Sequence, residues 1–197
     1  MKQILVLAVA CLLSVPVLAQ SEPTRTIGDE ELTELLRVKL RAVRHMALNP
    51  RLVRAVRRQN AQALGAETIE QRDRIWQAGK ELTAFKRSLQ ESPAGQFLMR
   101  TVNSNDSFNE AFLTDSAGAN VAAFPATSDY FQGDEEKWAN SFNGGQGKLF
   151  IGPLEHDDST GTQAVQVSAP VVDRGRTIGV LVVGVTLDYL DTRSSHR

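Results

Sequence analysis

Asn109–Phe124 reads NEAFLTDSAGANVAAF, Thr127–Phe150 reads TSDYFQGDEEKWANSFNGGQGKLF, and His156–Leu190 reads HDDSTGTQAVQVSAPVVDRGRTIGVLVVGVTLDYL. Short strand patterns alternate here with glycine turns, which predicts a small antiparallel sheet. Phe112–Thr114 and Asn120–Phe124 form two strands around the turn Asp115-Ser116-Ala117-Gly118. Lys148–Ile151 forms a third. Val165, Val167, Ala169 and Val171 alternate with Gln166, Ser168 and Pro170, so the fourth has one apolar face. Ile178–Leu187 is nearly all apolar, as a strand covered on both faces is, and belongs at the sheet centre. Asp173–Gly175 joins the last two strands. Between the second and third lies a long loop of aromatic and charged groups, then a short helix over Asp134–Phe142, read from Trp138 and Phe142 at i,i+4.

Upstream the period is helical. Leu32, Leu35, Leu36, Leu40, Val43 and Met46 form one stripe after Asp29, with acids first and bases last, as the helix dipole prefers. Asn49-Pro50 caps a second helix, and Gly65 closes that region. Thr68-Ile69-Glu70-Gln71 has capping-box form and opens a third, which Gly79 ends. Lys80–Leu89 is a fourth, and Ser92-Pro93 caps a fifth running to about Val102. The fold class is therefore α+β. A helical segment, 29–108, packs on a five-stranded antiparallel sheet core, 109–190, as one domain, because the first helix cannot bury its stripe alone.

The 197-residue chain has a net charge of −1, which gives no general push toward nucleic acid. Residues 1–19 read as a secretory signal peptide, with Lys2 as the positive region, Ile4–Leu13 as the apolar run and Val17-Leu18-Ala19 as the cleavage site. An uncleaved anchor is one alternative. A lipoprotein through Cys11 is another, weakened because Ala8 stands where leucine is preferred. Residues 20–28 form a flexible polar leader and 191–197 a tail. Cys11 is the only cysteine, so cleavage leaves no thiol for catalysis, disulfides or metal. Export places the protein in the periplasm. Arg37–Arg58 carries eight basic residues, read as a solvated face or one turned to anionic lipid or a partner.

The loop Thr127–Trp138 mixes aromatic faces with hydrogen-bonding groups, as small-molecule pockets do. Its bland reading is a plug for the core. TSDYFQGDEEKW, GGQGKLF, HDDST, SAPVVD and IGVLVVGVTLDYL, with NPRLVRAVRRQNAQ, IEQRDRIW and SPAGQF upstream, resemble the Cache (PDC) family of extracytoplasmic sensor domains, and short secreted stand-alone members in particular. The resemblance implies a long N-terminal helix along a PAS-like sheet, with a ligand between one sheet face and the loop after the second strand. By position it implies Tyr130 and Trp138 as walls and Asp129, Lys148 and Asp157 as polar contacts. Ser168 and Gln166 would reach inward from their strand, or else sit on a solvated face. Members that bind amino acids carry an arginine after the loop tyrosine. Glu135 and Glu136 occupy that stretch here, and lysine substitutes poorly for bidentate arginine. Lys137, Lys148 or Arg72 could still meet an acid as point charges, and an amine held over Trp138 is the alternative.

Arg72 and Trp76 share a helical face, so either Arg72 reaches the pocket or the face makes only a surface contact, Arg72 with Trp76 or Asp73 with an arginine. Glu155–Thr160 reads as an acidic turn, or as a cradle for a hard cation. No HExxH, GxSxG, Walker loop or GxGxxG is present. Three functions remain. The first is a sensor that binds a small metabolite (amine, amino acid or short carboxylate) without converting it or using a cofactor, and reports to the periplasmic part of a membrane signalling protein. The second is a ligand-free interaction or structural protein of the same fold. The third is a metal-assisted hydrolase built on Glu155–Asp158. Cache domains often pair along the long helix, which implies a homodimer through it.

Overall fold

A computed structural model describes residues 29–79, 81–157 and 162–186. The segments expected to be signal peptide, leader and tail, and residues 158–160 of the expected acidic turn, lie outside the described residues. The helices are α1 (Asp29–Ala47), α2 (Pro50–Asn60), α3 (Ala66–Gln77), α4 (Ala84–Glu91), α5 (Pro93–Asn103) and α6 (Glu136–Phe142). The strands are β1 (Phe108–Thr114), β2 (Asn120–Phe124), β3 (Phe150–Asp157), β4 (Thr162–Asp173) and β5 (Arg176–Thr186). They form one antiparallel sheet in the order β2-β1-β5-β4-β3, an α+β fold with the apolar β5 at its centre.

Several helix starts follow local caps. The Asn49 side chain accepts the Arg51 N–H at 2.9 Å and Ser92 accepts that of Gly95 at 3.0 Å, as their sequences predict. Two expectations are corrected. Helix α2 ends at Asn60, and Gly65 is the N-cap of α3, so Thr68 lies inside that helix instead of opening it. Helix α4 starts only at Ala84, because Thr83 Oγ1 caps the Lys86 N–H at 3.2 Å. In the other half, β1 begins at Phe108, α6 begins at Glu136, and β3 starts after Lys148 and runs on to Asp157. Glu155, His156 and Asp157 are thus strand residues and not part of a turn.

Alternation in β4 divides the sheet into two faces. Val165, Val167, Ala169 and Val171, with Ala111, Leu113, Leu181 and Val183, meet Val43 and Ala47 of α1, Leu52 and Val56 of α2, and Leu98 and Val102 of α5 in the main core. On the other face α6 lays Trp138 and Phe142 on Phe112, Ala123, Val180 and Val182. Asn60 ties the end of α2 to both neighbouring elements. It donates to the Ile178 carbonyl at 2.8 Å and accepts from the Ser116 N–H at 3.0 Å. Arg57 forms a two-pronged pair with Asp173 in the β4–β5 hairpin, at 2.6 and 2.9 Å.

Candidate functional site

After β2 the chain passes a cis Phe124–Pro125 bond and doubles back beside its own β1–β2 turn. Phe131 pairs with Ala119 in an isolated bridge. The Asn120 N–H donates to the Tyr130 carbonyl at 3.0 Å, and the Gln132 N–H to the Gly118 carbonyl at 2.8 Å. Gly118 has φ +85° and lies against the Gly133 backbone, leaving no room for a side chain. Inside the loop, the Asn120 amide donates to Thr127 Oγ1 at 2.7 Å and to the Asp129 carbonyl at 3.1 Å.

Helix α3 grips this loop from outside. Asp73 Oδ1 accepts the backbone N–H groups of Tyr130 and Phe131 at 2.8 and 3.0 Å. The Trp76 indole N–H donates to the Thr127 carbonyl at 2.8 Å. Tyr130 is buried against Trp76 and Phe85, with ring centroids 5.3 to 5.8 Å apart. Its hydroxyl accepts from Arg72 at 3.3 Å. Burial pushes the phenol upward and Arg72 pulls it back. The Asp129 carboxylate accepts from Gln132 and from Ser128. Burial, then the charges of Asp73 and Glu135, raise it above the usual carboxylate range, against the pull of Ser128.

Two hollows flank the loop. One, of about 340 Å³, is walled by Leu64, Ala66, Ile69, Ala117 and Phe131, with Glu70 and Asp73 as its polar groups. The other, of about 460 Å³, lies between α3, α4 and the loop, with Lys86, Glu81, Thr127 and Ser128 on its walls. The first is the better formed for a small molecule, being mostly apolar with two carboxylates to orient a ligand.

The structure brings Tyr130, Asp129 and Arg72 together. Arg72 does not make the surface contact with Trp76 that its spacing suggests. Its partners are the Tyr130 hydroxyl and the Phe85 ring, 5.7 Å from its guanidinium. Trp138 lies in a separate cluster, stacked on Phe142 at 4.8 Å, with its indole N–H 3.4 Å from the Asp115 carbonyl. Lys148 is exposed beyond the turn that ends α6. Asp157 sits at the end of β3, on the sheet edge opposite β2. Ser168 is buried under α6, whereas Gln166 is half-buried and donates to Glu110 at 2.8 Å across Gly184. Sequence reasoning missed Asp73 as the loop's anchor. Its signal was available, since Ile69, Asp73 and Trp76 fall on one inward helical stripe. Among the described residues, no group of three or more His, Cys, Asp or Glu could hold a metal ion, and no helix is long and apolar enough to cross a membrane.

No protein-family model matches the chain, and no curated protein matches it. Solved structures that align with it include sensor domains of histidine kinases and chemoreceptors. One is the sensor domain of the V. cholerae histidine kinase DctB, at 13% identity and TM-score 0.49, covering 80% of this chain and 51% of that one. Another is the ligand-binding domain of the Pseudomonas aeruginosa amino acid chemoreceptor PctC in complex with GABA, at 16% identity and TM-score 0.37, covering 79% and 62%. A third is the sensory domain of the Campylobacter jejuni chemoreceptor Tlp3 with isoleucine bound, at 14% identity and TM-score 0.39, covering 84% and 66%. The chain thus spans about half to two thirds of the length of these structures.

Proposed function

We propose that the chain is an exported, periplasmic sensor module that binds a small metabolite without converting it and reports its bound state to a membrane signalling partner. The hollow behind Phe131 carries this reading. Its volume of about 340 Å³ suits a small molecule, and its apolar walls and two carboxylates suit an orienting site. Among amines, amino acids and short carboxylates, the absence of any basic residue on its walls supports an amine. Glu70 already meets Arg74 at 3.4 Å, and Asp73 holds the loop, so a bound cation would share both carboxylates.

A thermal-shift panel of amines, amino acids, short carboxylates, purines and divalent cations tests this. A ligand of the folded state raises the midpoint with concentration. An amine should do so, and Ala66→Phe, which adds bulk to a wall of the hollow, should abolish the shift. A shift that survives Ala66→Phe would move the site elsewhere. One observation favours the second reading, a ligand-free interaction protein. Trp138 and Phe142 fill the sheet face on which the resemblance places a ligand. No response from any compound would favour that protein.

A further inference from the structure

We infer that a cleft between α2 and α5 is a second site, for a small multivalent anion such as a phosphate-bearing or polycarboxylate metabolite. Arg51, Arg54 and Arg58 recur at i, i+3 and i+7, which places their guanidinium groups along one face of α2. They line a hollow of about 270 Å³ whose floor is Ala55, Ala94 and Val121. Gln59 and Gln62 are polar neighbours on its wall, and no acid lines it.

The other arginines of α2 and α3 are engaged: Arg57 with Asp173, Arg72 with Tyr130 and Arg74 with Glu70. Among the described residues, the side chains of Arg51, Arg54 and Arg58 have neither an ion pair nor a hydrogen bond. The opposite wall is the start of α5, where Ser92 and Pro93 open an 11-residue helix. Its dipole adds positive potential to the three charges. Three like charges drawn into one concavity repel one another in a chain of net charge −1, and an anion relieves that repulsion. The planar guanidinium fork matches carboxylate and phosphate oxygens in pairs. A concavity of this volume is sized for a single small anion.

Isothermal titration of the full chain with inorganic pyrophosphate and, separately, with citrate tests the assignment at low ionic strength. At least one should bind saturably at one site per chain. The arm that binds tells phosphate from carboxylate chemistry. The double variant Arg54→Gln, Arg58→Gln should weaken that binding about tenfold or more, since each tenfold is the loss of only one charge-assisted contact. Arg100→Gln, which removes one charge outside the cleft, should leave the affinity within about twofold. No saturable binding of either anion overturns the proposal, as does equal weakening by Arg100→Gln. Flotation with phosphatidylglycerol vesicles in the absence of small-anion binding also overturns it, in favour of a membrane-facing surface.

Discussion

Asp73 on α3 accepts the backbone N–H of Tyr130 at 2.8 Å, and the same oxygen accepts that of Phe131 at 3.0 Å. One carboxylate oxygen therefore fixes the two residues on which the loop turns from the aromatic cluster toward the hollow. Asp73→Ala leaves two partly buried donors without a partner. It should cost ~2 kcal/mol, read as a lower urea midpoint at unchanged slope. Asp73→Asn keeps an acceptor in place and should cost less than half as much. Equal losses would mean that the charge, and not the acceptor, holds the loop.

Asp129 gives a pH test. Its folded-state pKa is raised, chiefly by burial and then by Asp73 and Glu135. The native state therefore binds more protons than the unfolded state between the unfolded value and the raised folded one. In that window stability falls as pH rises, and the penalty is complete above the folded value. Asp129→Asn keeps an oxygen for Ser128 and removes the charge. It should raise the melting temperature at neutral pH by a few degrees at most. The difference from the parent chain should shrink toward zero as pH falls through the carboxylate range. A difference that grows on acidification would mean that the ionised form stabilises the fold.

The strands were legible where alternation or uniform apolarity survives, as in β4 and β5, because burial of one face or both imposes that pattern. The start of β1 was not. Its pairing with β5 shifts register between Phe108 and Glu110, and Glu110 is a strand residue satisfied by Gln166 across Gly184. The outer half of β3 reads GPLEHD, a turn-like composition that is tolerated because β3 is an edge strand with its own shift between Ile151 and Leu154. In the site, the aromatic loop stood out from composition. Asp73 stood out only as part of the inward stripe with Ile69 and Trp76, and that pattern does not name its partners, which are main-chain donors 57 residues and more along the chain.

Gly179 makes the sheet centre testable. A Cβ built there would run into the Thr114 carbonyl and crowd Val56, so β1 and α2 both lie against the bare backbone. Thr114 also exchanges side-chain hydrogen bonds with Val180, at 3.2 and 3.3 Å, which keeps β1 from moving aside. Gly179→Ala should cost ~2–3 kcal/mol by overpacking, read from the urea midpoint. Gly152→Ala on the edge strand is the control. Its nearest neighbour would be the Gln166 carbonyl at 3.4 Å, an ordinary contact, and its cost should stay below ~1 kcal/mol.

Ser168 separates the two possible places for a ligand. Its side chain is fully buried between Phe150 and Val182 on the face under α6, and its hydroxyl has no hydrogen-bond partner among the described residues. A buried hydroxyl without a partner keeps its desolvation cost, so Ser168→Ala should leave stability unchanged or raise it by up to ~1 kcal/mol. For a chain of this length that gain corresponds to about 2–4 °C in melting temperature. Ser168 lines neither of the hollows beside the loop. An amine bound behind Phe131 should therefore keep its affinity in the variant. A gain in stability together with a loss of affinity would place the ligand on the sheet face, with Trp138 and Phe142 moving aside to admit it.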